Sequence, residues 1–248
     1  SAVDFIQRNK DNPFFLYFAH SMPHVPLAVS DKYRGKSEQG LYGDVIMEMD
    51  WSVGEIVEAL EKNGLTENTL VMFISDNGPW LNFGNHAGSS GGLREGKGTS
   101  FEGGQRVPAI MKWPAGIPGG IVCDKIAATM DLLPTISNIT GAKLPDQKID
   151  GVSITSLMKG ERNTNPRETL LYYYGNNELQ AIRKNNWKLV FPHQYRSYER
   201  VLPGNGGLPG KYNNNVTELE LYDLRRDPGE RYNVIKLYPH VVTELEEI

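Results

Sequence analysis

The sequence predicts an α/β protein: a mostly parallel sheet flanked by helices, followed by a small four-stranded antiparallel sheet with a helix. Three observations carry this. Residues 14–19 (FFLYFA) and 70–74 (LVMFI) are short, unbroken apolar runs, the pattern of strands buried on both faces. Between them Ile46, Met49, Val53, Ile56, Val57 and Leu60 recur at three- and four-residue spacing, one face of an amphipathic helix. Strand, helix, strand of this kind reads as a parallel crossover unit. Beyond Glu168 the apolar segments become short, aromatic and β-branched, which suits antiparallel strands joined by tight turns.

Each element has a local justification. Pro13 precedes the first strand, and a loop with Pro23 and Pro26 follows it. Asn63-Gly64 stops the long helix. Residues 107–111 form a further strand, 114–120 a turn-rich loop and 126–130 a short strand. Asp131 caps a helix running to Asn138, with Pro134 in its first turn and Gly141 past its end. Strands follow at 170–174, 179–184, 187–191 and 218–223, with Asn185-Asn186 as a hairpin turn. Residues 203–210 (PGNGGLPG) read as a flexible excursion, and 241–245 as a closing helix. No internal repeat is visible. The expected division is a main α/β domain at 1–165 and a small subdomain at 166–248.

Composition narrows the function. Among 248 residues, 39% are hydrophobic, enough for a core, and 23% are charged. Net charge is -4, from 26 Lys+Arg against 30 Asp+Glu, with no basic excess to hold nucleic acid. No apolar run approaches a membrane span. Cys123 is the single cysteine, so no internal disulfide forms. The opening 20 residues read as the end of a helix, a turn and a strand, as in a chain that begins in mid-architecture. The missing leader therefore says little about location. Two sequons, at Asn138 and Asn215, are compatible with export.

The chemistry concentrates in residues 71–106 (VMFISDNGPWLNFGNHAGSSGGLREGKGTSFEGGQR). Asp76 and Asn77 put a carboxylate and an amide oxygen at a strand end, where open α/β sheets bind ligands. One reading is a divalent-cation site of hard oxygen ligands; the other is a plain Asp-Asn-Gly turn. Lys97 lies between Gly96 and Gly98, an uncovered point charge suited to a tetrahedral anion, or else a solvated loop lysine. Residues 91–97 have the G-x-x-x-x-G-K spacing of a P-loop, but Gly98 stands where Ser or Thr belongs and no helix follows. His24, in a loop stiffened by two prolines, can donate to an anionic oxygen or a leaving group. His20 is the alternative, and either histidine serves equally as a structural one. His86 reads as a surface loop residue unless its loop folds over a substrate. Met47 and Met49 read as core or edge packing, and Arg225, Arg226 and Arg231 as a solvated charged face.

Taken together these motifs resemble a family. FFLYFAHSMPHVP, VMFISDNGP, GGLREGKGTSFEGGQRVPAIMKWPAGI, MDLLPTISNITGA and LYDLRRDPGERYNV resemble, in order, segments from the C-terminal two-thirds of type I sulfatases. These are the arylsulfatase-like branch of the alkaline-phosphatase superfamily. The resemblance implies hydrolysis of a sulfated carbohydrate or aryl sulfate. Asp76 and Asn77 would then bind Ca²⁺ or another divalent ion, and Lys97 and His24 would contact the sulfate from two sides. His86 and Arg94 would lie in the substrate-binding region. It also implies a secreted, periplasmic or lysosomal protein.

Relatives use a formylglycine made from Cys or Ser in C/S-x-P/A-x-R. Cys123 sits in VCDKI, and Ser21 has Pro23 after it but Val25 in place of Arg. The paired early aspartates of the metal shell have no match here either. The expectation is that the isolated chain is inactive and holds metal weakly. Two alternatives stand beside it: a phosphonate or phosphate monoester hydrolase of the same superfamily, and a non-catalytic sulfated-glycan-binding relative.

Overall fold

A computed structural model describes residues 1–248. In chain order the elements are α1 (Ala2–Asn9), α2 (Gly40–Lys62), β1 (Val71–Ile74), α3 (Glu102–Gln105), β2 (Ala109–Lys112), α4 (Leu132–Thr140) and α5 (Thr155–Met158). β3 (Thr169–Tyr174), β4 (Glu178–Lys184), β5 (Trp187–Val190), β6 (His193–Ser197), β7 (Asn213–Thr217), β8 (Glu220–Asp223) and α6 (Pro239–Glu246) complete the chain. Two units divide it. One comprises Ser1–Trp113 with Tyr195–Asn215, the other Pro114–Gln194 with Val216–Ile248. This partition differs from a boundary at 165: residues 114–165 group with the second unit, and residues 195–215 return to the first.

In the first unit, Ser1 and Asp4 form a reciprocal capping box that starts α1. Ile6 on its inner face packs with Ala59 and Leu60 of α2, joined by Phe14, Ile56 and Val71. Asn63-Gly64 ends α2 as the sequence predicts. Gly64 takes a left-handed φ of 67°, and the amide of Leu65 returns to the Leu60 carbonyl at 2.9 Å.

The mostly parallel sheet is not present. β1 pairs antiparallel with β2, from Val71↔Lys112 to Ile74↔Ala109. Residues 14–19 are extended but join no ladder, and Phe15, Tyr17 and Phe18 are 69, 80 and 47% exposed. An unbroken apolar run reports a preference for burial, but a strand also needs a partner to complete its backbone hydrogen bonds, and this segment is paired in none of the sheets. Residues 126–130 likewise form no strand; the chain enters a tight helical turn at Thr129–Asp131. Ile46 and Met47 lie exposed on α2 rather than in the core, which leaves Met47 at most the edge packing of the two alternatives.

In the second unit, β3, β4, β5 and β8 form a four-stranded antiparallel sheet in that order, as the sequence predicts. Asn185 accepts the left-handed φ of 54° that the β4–β5 turn needs. Alternation along β5 sorts its two faces. Trp187 and Leu189 point to α6, where Leu189, Ile182, Leu221, Val241 and Leu245 make the core. On the other face Lys188 is fully buried, ion-paired to Glu230 at 2.8 Å and 4.5 Å from the Tyr172 ring. Arg225, Arg226 and Arg231 are exposed, as expected.

Asp131 stands at the start of α4, but its carboxylate does not cap that helix. It accepts instead from the amides of Ala128 and Val152 and from the Arg167 guanidinium. Burial pushes this carboxyl up, but the Arg167 hydrogen bonds and charge, with the two amides, hold it below the usual carboxylate range.

Candidate functional site

β1 delivers the chain to Ser75-Asp76-Asn77-Gly78 at its carboxyl end. The Ser75 hydroxyl donates to the Asn77 carbonyl at 3.0 Å, and the Asn77 amide nitrogen donates to the Gly78 carbonyl at 2.9 Å. The Asn77 side-chain oxygen is thereby left open. The Asp76 carboxylate is exposed and takes no partner within the chain. These two oxygens suit a hard cation, but no group of three or more His, Cys, Asp or Glu gathers to complete a shell.

The lysine loop is fastened to this turn through backbone. The Gly78 amide donates to the Gly104 carbonyl at 2.9 Å, and the Lys97 amide donates to the Pro79 carbonyl at 2.8 Å. A Cβ at Gly78 would lie 1.8 Å from the Gly103 oxygen, and one at Gly96 would lie 2.4 Å from the Pro79 oxygen. Glycine is required at both positions because two main chains touch there. Lys97 is therefore anchored three residues along the chain from Asp76.

Trp80 lies between the two candidate sulfate contacts. The Lys97 ammonium is 5.1 Å from its ring centroid, the His24 ring 5.8 Å and the Phe83 ring 4.8 Å. The exposed His24 holds its Nδ1 2.7 Å from the Val25 carbonyl, so a neutral ring donates there and leaves Nε2 for a ligand. His20, the alternative, is engaged elsewhere: its Nε2 meets the Ser52 hydroxyl at 3.2 Å and its ring contacts Phe18.

The two remaining candidates sit on the flanks. The Arg94 guanidinium lies 3.8 Å over the Phe101 ring and donates to the Tyr195 hydroxyl at 3.1 Å. His86 ends the tight turn Leu81–His86, its Nδ1 buried without a hydrogen-bond partner and its ring against Gly207. The excursion at 203–210 is tied down at this point. The amides of Gly204 and Gly210 both donate to the Asn82 carbonyl, at 2.8 and 2.7 Å, and the Gly206 amide donates to Asn85 Oδ1.

Sequence reasoning missed Trp80, Glu95 and Tyr198. Glu95 is 4% exposed and has a left-handed φ of 57°. Burial pushes its carboxyl above the usual range, against the opposing pull of hydrogen bonds from Ser197 and Tyr198. Its place inside REGKG was the one signal available. Tyr198 lies a hundred residues away and left none.

A strand-end carboxylate and amide therefore stand beside a lysine loop clamped to the same turn through its backbone. The comparisons specify the class. The sulfatase profile matches residues 1–142, that of the C-terminal region of aryl-sulfatase 165–248, and that of N-sulphoglucosamine sulphohydrolase, C-terminal, 96–201. The chain belongs to the sulfatase family.

It is 38% identical over 245 residues to N-acetylgalactosamine-6-sulfatase of Mus musculus, covering 93% of this chain and 46% of that protein. It is 36% identical over 236 residues to arylsulfatase A of Homo sapiens, covering 92% and 45%. Among solved structures, PsFucS1 sulfatase from Pseudoalteromonas sp. matches with a TM-score of 0.86 at 26% identity, covering 99% of this chain and 49% of that one. A Bacteroides thetaiotaomicron structure described under metabolism of multiple glycosaminoglycans matches with a TM-score of 0.82 at 32% identity, covering 99% and 51%. The chain thus spans about half the length of these relatives, less than the two-thirds its motifs suggested. No helix is long and apolar enough to cross a membrane.

Proposed function

We propose that this chain forms part of a sulfuric-ester hydrolase acting on a sulfated carbohydrate or aryl sulfate. The observation that carries the reading is the backbone clamp that sets Lys97 beside the Asp76-Asn77 turn, in a chain of the sulfatase family. Lys97 supplies a compact positive charge to a sulfate oxygen and steadies the leaving oxygen as negative charge develops on it. His24 Nε2, with the ring oriented through Nδ1, faces the same group from the other side and moves a proton to or from it. His86 and Arg94 shape the approach of the rest of the substrate, Arg94 through its stack on Phe101.

Asp76 and Asn77 would hold a divalent cation, Ca²⁺ by the resemblance, through one carboxylate and one amide oxygen, with water, substrate or other residues completing its shell. Such a cation would supply positive charge against the sulfate oxygens. Cys123 is exposed in VCDKI and does not supply the nucleophile. Export from the cytoplasm is part of the same proposal and rests on the family resemblance.

The test uses the protein made from the complete reading frame that contains this chain, with 4-nitrophenyl sulfate and 4-nitrophenyl phosphate as probes. Sulfate turnover lost on chelation, and reduced at least a hundredfold by Lys97→Ala, about the weight of one charge-stabilising group, is the expected result. Preference for the phosphate would instead make it a phosphate monoester hydrolase. Binding of sulfated sugars without turnover would make it a non-catalytic relative. The 248-residue chain alone is expected to show no turnover.

A further inference from the structure

Lys97 is a long, flexible side chain on a glycine-rich loop, and its usefulness depends on where its backbone is held. Both of its main-chain polar groups are taken by distant segments. Its amide donates to the Pro79 carbonyl at 2.8 Å, and its carbonyl accepts from the Tyr198 hydroxyl at 2.9 Å. Tyr198 is itself fixed by Glu95, two residues before the lysine. The Glu95 carboxylate accepts from the Tyr198 amide at 2.8 Å through Oε2 and from the Ser197 hydroxyl at 2.6 Å through Oε1. Ser197 is fully buried and Glu95 nearly so. Glu95 also occupies a left-handed backbone conformation that a branchless glycine would adopt at lower cost. Such strain persists where surrounding contacts over-determine it. A carboxylate at a strained, buried position that accepts two hydrogen bonds points to a side chain with a task.

We propose that Glu95 and Tyr198 are positioning residues: with Ser197 they grip the lysine loop on both sides of Gly96 and set the direction of the Lys97 ammonium toward the sulfate. The inference rests on the reading that Lys97 meets the sulfate, and it deepens that reading by assigning a role to residues that touch no substrate. Trp80 completes the arrangement from the other side, its ring 5.1 Å from the ammonium. A lysine with a fixed Cα and one flanking ring has fewer rotamers to surrender on binding an anion.

The experiment is a double-mutant cycle on the protein from the complete reading frame, reading the Kd for inorganic sulfate in calcium-containing buffer. Tyr198→Phe keeps the ring and removes only the bond to the Lys97 carbonyl. It is expected to raise Kd about fivefold, the worth of one neutral hydrogen bond, with the thermal midpoint nearly unchanged. In the Lys97→Ala background the same substitution is expected to leave Kd unaltered, because the ammonium it directs is gone. Glu95→Gln, which retains one acceptor oxygen, is expected to lose less affinity than Glu95→Ala. An equal effect of Tyr198→Phe in both backgrounds, or no effect in either, overturns the positioning role while leaving the sulfate reading intact. If Lys97→Ala alone leaves Kd unchanged, or wild type does not bind sulfate, the sulfate reading fails and this inference with it.

Discussion

Gly78→Ala tests the contact on which the site depends. The new Cβ would sit 1.8 Å from the Gly103 oxygen, 2.9 Å from the Gly103 carbonyl carbon and 3.2 Å from the Gly104 Cα. All three are backbone atoms, so no side chain can rotate away. Bringing the closest contact to 3.0 Å requires the segments to part by 3.0 − 1.8 = 1.2 Å. The Gly78–Gly104 hydrogen bond, now 2.9 Å, would then stretch to about 4 Å and be lost. One hydrogen bond is worth about 1 kcal/mol and overpacking of this kind about 1–3 kcal/mol, so the expected cost is about 2–4 kcal/mol. Gly78 is not among the glycines with positive φ, so the loss measures steric contact and not backbone strain. Urea unfolding followed by tryptophan fluorescence and circular dichroism reads it, and Trp80 two residues away reports locally. A variant within about 0.5 kcal/mol of wild type would refute the reasoning, since the two loops would then not touch as described.

Gly54→Ala is the matched control. Gly54 is exposed in the interior of α2 with nothing within 4 Å of its built Cβ, so the substitution should raise stability by about 0.5–1 kcal/mol in the same assay. Asp131→Ala strips a buried guanidinium of its partner and should cost about 3–5 kcal/mol near neutral pH. The Asp131 carboxyl is held below its ordinary value in the folded protein, so its contribution is present above the unfolded-state value and fades as pH falls through the folded one. The gap between wild type and Asp131→Ala, measured by urea titration at a series of pH values, should therefore narrow below about pH 4.

What the sequence revealed follows the range of the forces involved. The four-stranded sheet was legible because its evidence is local: short aromatic and β-branched segments and an Asn-Asn turn. The end of α2 at Asn63-Gly64 and the left-handed Gly141 after α4 were legible for the same reason. The expected parallel pairing is not found among these strands, and an apolar run could not settle it, because it records a demand for burial without naming the partner that meets it. Residues 14–19 carry the same pattern as β1, yet only β1 has a neighbouring strand. The anchoring of 203–210 on Asn82 and the grip of Tyr198 on Lys97 join residues more than a hundred positions apart. No window of sequence holds both ends of such a contact.

The glycines of the lysine loop show how a sequence signal can be sound and its physical reason different. Their density in REGKGTSFEGG suggests a backbone kept bare so that a ligand can approach. The geometry assigns the bareness to the protein itself. Gly96 faces the Pro79 carbonyl, Gly103 the carbonyls of Arg94 and Glu95, and Gly104 those of Gly96 and Thr99. Each of these three is a point where main chain meets main chain, while Gly98 serves a left-handed φ of 93°. Under the proposed role of Lys97, such an anchor would let the lysine act as a directed charge, because the backbone bonds that hold it do not depend on the ligand. It also leaves the loop intolerant of any added Cβ on its inner side. Variation in this loop should accordingly be confined to positions that face outward; Gly91 is limited by a different cause, since a built Cβ there meets nothing within 4 Å but its left-handed φ of 62° favours glycine.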